Sequence, residues 1–360
     1  MAAITPALQM FAGPRARAQL RERGLRPGDV RVIAAAAGGP KGLVLNPLDR
    51  FIFGEWLATS AQTVHLLGAS IGAWRMACAC LNDPDAALAQ LADDYIHQHY
   101  EHAPGKAPRP AHVSAVFGAT LARRFGGREA EALTHPRYRL HVFTSRGRGL
   151  LRRAGRLRTP LGYLGAFATN LVHRRALGGW LERVIFSDPR EPLPFGLSDY
   201  RTRQVALSAA NLAPSILASC SIPLWLDAVH DLPGAPRAAY WDGGITDYHL
   251  HLPYSQMQHG LVLYPHFQPR LVPGWLDKAL KRRHRASPWL DNVVLLAPSP
   301  QWIATLPRAK LPDRADFKDH VDDDATRIAA WSRALAQSRQ LADEFAALVT
   351  QPSIDAFPLP

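Results

Sequence analysis

Val64-His65-Leu66-Leu67-Gly68-Ala69-Ser70-Ile71-Gly72 joins an apolar run to a pentapeptide of small residues around one serine. A short, mostly apolar run from Thr63 to Leu67 enters G-x-S-x-G. An alanine-rich run from Ile71 to Leu81 follows and stops at Asn82-Asp83-Pro84. That order spells strand, tight turn, helix. The same grammar stands just upstream. Val30 to Ala36 ends in Gly38-Gly39, and Gly42 to Leu57 has helical spacing, with Leu45, Leu48, Phe51, Ile52 and Trp56 able to share a face. Two strand–turn–helix units in succession imply an α/β fold with a mainly parallel sheet and crossover helices.

Downstream, Pro84 to Tyr100 reads as a helix and His102 to Pro110 as a Pro/Gly loop. Strands are expected at Arg139 to Ser145, Ala239 to Trp241, Gly260 to Tyr264 and Val293 to Ala297. A final helix is expected from Ala325 to Val349, where Ile328, Trp331, Leu335, Ala342, Phe345 and Val349 recur at mostly three- and four-residue spacing. Pro14 to Arg23 is arginine-rich, but its helical pattern favours a structural helix over a transit peptide. No repeat with a period of roughly 20–50 residues is visible, which argues against solenoids and propellers.

Composition narrows the class. The 360 residues suffice for one large domain or two medium ones, at roughly 100–200 residues each. With 47% hydrophobic and 20% charged residues, global disorder is excluded. Three cysteines, with no C-x-x-C, exclude a disulfide scaffold and a four-cysteine zinc site. So few cysteines fit a reducing compartment. The N-terminus lacks a charged n-region followed by a long apolar run, so no secretory signal is read there. Gln204 to Leu226 carries no charge over 23 residues, but its serines, Asn211, Pro214 and Pro223 favour a buried segment over a membrane span. The expectation is a cytoplasmic protein, peripheral to a membrane at most.

Three short motifs carry chemistry. In Gly68-Ala69-Ser70-Ile71-Gly72 the strand before and the helix after are the setting of a nucleophile elbow. The helix N-terminus behind Ser70 favours developing negative charge. Ala37-Gly38-Gly39-Pro40-Lys41-Gly42 is a glycine-rich turn between a strand and a helix. It matches neither the P-loop nor the dinucleotide fingerprint. Gly38 and Gly39 can supply oxyanion-hole donors, Pro40 cannot, and Lys41 adds charge. Trp241-Asp242-Gly243-Gly244 is by base rate a turn, but a carboxylate at a strand end can also serve as a general base.

In the order glycine-rich turn, G-x-S-x-G, D-G-G, these motifs resemble the patatin-like phospholipases, a family of serine acyl hydrolases. Leu217-Ala218-Ser219-Cys220-Ser221-Ile222-Pro223 looks like that family's A-S-x-x-I-P segment before its D-G-G. The resemblance spans roughly Arg31 to Asp247. It implies a three-layer α/β/α fold with a mainly parallel central sheet, here with a C-terminal helical extension. The expected division is residues 1–270 as the acyl hydrolase core and residues 271–360 as an extension packed on it.

The resemblance also implies a Ser–Asp dyad, with Ser70 as nucleophile and Asp242 as general base. Gly38 and Gly39 become oxyanion donors, with Lys41 where the family has Arg or Lys, and the Ile71 N–H joins them. The substrate it implies is a lipid carboxylic ester: phospholipid, lysophospholipid or acylglycerol. It implies neither metal nor organic cofactor. Two departures stand out. Ala37 occupies a position where the family often has a third glycine. The segment after Gly244 runs on through His249 and His251 before Leu252-Pro253, longer than the family's. Either histidine could line the pocket, though surface or structural roles are commoner.

The formal charge of +12 is local. Between Arg123 and Arg183 stand fourteen arginines and three glutamates. Leucines and aromatics alternate with the arginines, so residues 123–183 read either as a solvated face or as a lid that meets an anionic membrane. Two rivals remain. An α/β-hydrolase would share Ser70 but add a histidine after the acid, such as His266 or His320. A non-catalytic binder of anionic membrane or nucleic acid would use the arginines. Nucleic acid ranks last, for no nucleic-acid signature is present.

Overall fold

The structure, a computed structural model, describes residues 6–360 except 104, 105 and 107. The first five residues of the N-terminal segment and those three positions of the His102–Pro110 loop lie outside the described residues. Among the described residues, eleven strands form one mixed sheet: β1 (Leu8–Ala12), β2 (Val30–Ala35), β3 (Val64–Ala69), β4 (Tyr138–Gly147), β5 (Leu181–Ser187), β6 (Thr202–Ala206), β7 (Val229–His230), β8 (Ala239–Asp242), β9 (Leu261–Pro265), β10 (Val293–Pro298) and β11 (Phe357–Pro358). The order is β11-β1-β10-β9-β2-β3-β4-β5-β6, with β8 joined to β4 and β7 to β8. The centre, β10-β9-β2-β3-β4, is parallel throughout.

The sheet is buried on both faces, as parallel strands require. Along β3, Val64 and Leu66 point into one core and Leu67 and Ala69 into the other. The first core is roofed by helices, among them Pro14–Arg23, Asn46–Phe51, Ile71–Ala79, Pro110–Phe125, Leu212–Cys220 and Arg339–Leu348. The second is covered mainly by irregular segments and short turns around Leu193, Tyr254, Phe267 and Leu290. The helix Arg158–Val172 packs beside it over Trp241 and Leu276. This is an α/β/α arrangement with one thick helical layer and one thin layer of turns. Residues 271–360 do more than pack on this sheet, since they supply β10 and β11.

The register along β4 brings two strand ends together. β3 pairs with β4 up to Ala69↔Phe143. β8 then pairs with β4 from Thr144↔Asp242 to Arg146↔Tyr240. The opposite edge of β4 is taken by β5. β3 and β8 therefore lie end to end along one edge of β4, one parallel and one antiparallel to it, with their C-terminal ends meeting.

Several elements differ from expectation. The helix expected over Gly42 to Leu57 is broken into a 3-10 segment (Gly39–Leu45), an α-helix (Asn46–Phe51) and a π-turn (Ile52–Trp56). Pro47 cannot donate to the preceding turn, and it opens the α-helix at a position where no donor is needed. The final helix is two, Asp324–Gln337 and Arg339–Leu348. At the joint, Ser338 Oγ donates back to Leu335 O at 2.7 Å, a local bond that competes with a straight helix. The charge-free segment holds the end of β6 and the helix Leu212–Cys220. No helix among the described residues is long and apolar enough to cross a membrane.

The basic stretch 123–183 is not one element. It runs from the end of one helix through β4 and the helix Arg158–Val172 into β5. Many of its arginines are structural. Arg124 pairs with Asp94, Arg128 with Glu131, Arg146 with Glu182 and Arg174 with Asp277. Arg183 is wholly buried, bonding Asp247 at 2.6 and 2.8 Å and Asp199 at 2.6 and 3.0 Å. It ties the turn after Asp242 to β5.

Candidate active site

Ser70 is the single residue between β3 and the helix Ile71–Ala79. Its backbone is at φ 56°, ψ −129°, a region costly for any residue with a side chain. Surrounding bonds hold it there. Ser70 N donates to Ser219 Oγ at 2.8 Å, and Ser219 Oγ donates to Phe143 O at 2.6 Å. Ser219 belongs to the A-S-x-x-I-P segment, so that motif props the elbow from behind. The helix is pinned by a buried bidentate pair, Arg75 to Asp49, at 2.6 and 2.8 Å.

Gly72 lets this helix meet the end of β2, for a Cβ there would lie 2.0 Å from Ala35 O. Gly72→Ala is expected to lower stability by about 3 kcal/mol or more. Gly118→Ala, at an unobstructed position in the helix Pro110–Phe125, is expected to raise it by up to about 1 kcal/mol. Denaturant melts of the two variants check both signs.

Asp242 closes β8 at the meeting point of the two strand ends. Its Oδ2 accepts from Ser70 Oγ at 2.7 Å, and its Oδ1 accepts from Gly244 N at 2.7 Å. Both side chains are enclosed, Ser70 at 3% and Asp242 at 5% exposure. Burial pushes the Asp242 carboxyl above the usual carboxylate range. Arg314 and the bonds from Ser70 and Gly244 oppose the shift without cancelling it. The methyl of Ala37, the residue in the third-glycine position, packs where a Cβ at Gly244 would sit, 2.5 Å away. The bare Gly244 makes room for it.

Ser70 opens onto a cleft lined by Gly39, Ile71, Trp74, Phe117, Leu226 and Arg314, among others. Gly39 has φ +58°, which favours glycine. Among the described residues, the N–H groups of Gly38, Gly39 and Ile71 donate to no protein acceptor. Lys41 stands aside from the lining. Its Nζ lies 5.4 Å from the Phe267 ring centre, and Phe267 itself packs on Gly38. Burial lowers the Lys41 pKa, partly offset by Asp313.

Sequence reasoning missed two cations. Arg314 Nε lies 3.1 Å from where a Cβ of Gly39 would sit, and it lines the cleft with Ser70. Lys278 Nζ lies 4.3 Å from the Tyr248 ring centre, and Tyr248 abuts Gly244. Burial, with Arg314 and Lys41 nearby, lowers the Lys278 pKa to about 8. Among the described residues, Lys41, Lys278 and Arg314 form no ion pair. Arg314 thus borders a buried serine–aspartate pair, with Lys278 near Asp242 and Lys41 farther back. Neither missed residue lies in a periodic or glycine-rich segment, so no sequence signal points to it.

The histidines are engaged elsewhere. His249 Nδ1 accepts from Val272 N at 2.9 Å, and His266 Nδ1 accepts from Gln268 N at 3.0 Å. His251 bonds Ser287 Oγ at 2.8 Å, and His320 lies beside Arg308. Burial pushes His266 down to about 3 and His251 to about 4. Among the described residues, no histidine hydrogen-bonds to Ser70 or Asp242. Cys220 also lines the cleft, but burial raises its pKa well above the ordinary thiol value, so it stays protonated.

No family model matches this chain. No curated protein matches it either. Among solved structures, human GIVD cytosolic phospholipase A2 is similar over 93% of this chain and 62% of its own, at 12% identity and a TM-score of 0.38. The chain spans less than two thirds of that protein's length.

Proposed function

We propose that the chain is a serine-dependent acyl hydrolase of the patatin-like kind, cleaving carboxylic esters of lipids. The observation that carries this is the 2.7 Å bond from Ser70 Oγ to Asp242 Oδ2 at a strained elbow, with no histidine among the described residues bonded to either partner. Asp242 takes the Ser70 proton as Oγ attacks the ester carbonyl. The oxyanion that forms is met by the Gly39 and Ile71 N–H groups, with Gly38 behind them. Collapse expels the alcohol, which recovers the proton from Asp242 and leaves acyl-Ser70. Water, deprotonated by Asp242, then attacks the acyl carbon, and the acid leaves as Ser70 Oγ takes that proton back from Asp242. A carboxylate pushed upward by burial is better matched to this proton traffic than an exposed one.

The cleft divides the substrate. Trp74, Phe117, Ile222 and Leu226 suit an acyl chain. Arg314, the cation that lines the same cleft, suits an anionic group beyond the ester, which favours a phospholipid or lysophospholipid over a neutral acylglycerol. The test is fatty-acid release from a lysophospholipid and from a monoacylglycerol of equal chain length. Arg314→Ala is expected to lower kcat/KM for the phosphate-bearing ester by about 10- to 100-fold, the worth of one charge-assisted hydrogen bond. The neutral ester should change far less. Equal losses on both substrates, or no release from either, contradict this reading.

A further inference from the structure

We infer that the helix Arg158–Val172 lies flat on an anionic lipid surface, its leucines among the acyl chains and its flanking arginines among the headgroups. Its two faces are inverted relative to an ordinary surface helix. The side that packs on the protein carries small or polar residues: Thr159, Gly162, Ala166 and Asn170 are buried. The side that faces out carries the large apolar ones. Leu161 is 56% exposed, Leu164 64% and Val172 84%, with Phe167 and Leu171 beside them and Leu157 just ahead at 74%. Spacings of three and four residues gather these on one face. Fifteen residues make a helix of about 22 Å, too short to cross a hydrocarbon core of about 30 Å, so it lies along the surface.

Charge selects the occupant. No acidic residue occurs between Gly147 and Leu181. Among the described residues, the exposed Arg152, Arg156, Arg158 and Arg175 have neither an ion pair nor a side-chain hydrogen bond. Free guanidiniums flanking an apolar ridge complement anionic headgroups over acyl chains. A second copy of the chain would bring the same arginines face to face. The buried side ties the helix to the candidate site. Tyr163 packs edge-on against Trp241, the neighbour of Asp242, with ring centres 5.8 Å apart. Asn170 and Arg174 both bond Asp277, next to Lys278, at 2.8 Å. Docking would thus hold the end of β8, which carries Asp242, near the lipid surface, and only the link to catalysis rests on the proposed function.

The test is co-sedimentation with vesicles of phosphatidylcholine alone and of phosphatidylcholine with phosphatidylglycerol. Wild type, the double variant Leu161→Asp/Leu164→Asp, and the triple variant Arg152→Gln/Arg156→Gln/Arg158→Gln are compared. All five positions are exposed, so the fold should survive. Wild type should prefer the anionic vesicles. The leucine variant should bind them at least about tenfold more weakly. The arginine variant should lose up to about 100-fold at low salt, roughly fivefold per guanidinium. Hydrolysis of a water-soluble short-chain ester should stay unchanged in both variants. Three outcomes overturn the inference: wild type bound to neither vesicle, both variants binding like wild type, or a wild-type dimer, broken by the leucine variant, that ignores vesicles. The expected vesicle binding without any ester hydrolysis would sink the proposed function and leave the docking surface standing.

Discussion

Ser70→Ala should abolish ester hydrolysis, by about 10⁴-fold or more, while the protein stays folded. The loss is large because the elbow serves one atom. The strained backbone, the Ser219 prop and the Gly72 contact all fix where Ser70 Oγ sits. Ser70→Gly separates strain from chemistry. It should be equally inactive, yet more stable than Ser70→Ala by about 1 kcal/mol, because glycine adopts φ 56° without penalty. Thermal melts read with turnover check the pair. A residual rate within tenfold of wild type in either variant would remove Ser70 from the mechanism.

Asp242→Asn carries the second large effect, a loss of about 10³- to 10⁴-fold. Asparagine can keep the shape and the bond from Gly244 N but cannot take up a proton. The sign of the stability change is opposite to that of activity. Burial raises the folded-state pKa of Asp242. A raised carboxylate pKa contributes stability that is full below the unfolded value and lost as pH rises through the folded value. At neutral pH the ionised form is therefore a net cost, and Asp242→Asn should melt no lower than wild type. The same shift sets the acid limb of the rate profile. Activity should fall as pH drops through a pKa above the ordinary carboxylate range, and His320→Ala should leave both limb and rate in place. A triad enzyme would instead lose its rate with one histidine.

The parts that were legible in the sequence are those written locally. The β2 and β3 strands, their glycine turns and the helix after Ser70 follow from runs of neighbouring residues. The partnership of Ser70 with Asp242 does not. The two are 172 residues apart and meet because β3 and β8 share one edge of β4. Only the resemblance linked them in advance. Arg314 and Lys278 were invisible for the same reason, since nothing in their own surroundings marks a residue that reaches across the fold. The basic stretch misled in part. Arg183 looks like a surface charge in sequence, yet Asp247 and Asp199 bury it. Within the basic stretch, and among the described residues, the arginines left without a partner (Arg152, Arg156, Arg158 and Arg175) flank one helix whose apolar side faces out.

Labelling with a fluorophosphonate probe, read by intact mass and peptide mapping, asks whether Ser70 is an activated nucleophile. A single adduct on the peptide containing Ser70 is expected in wild type and none in Ser70→Ala. Asp242→Asn should react at least about 100-fold more slowly, as general-base assistance to the attack is lost. No adduct in folded wild type, or an adduct on any other residue, would contradict the account.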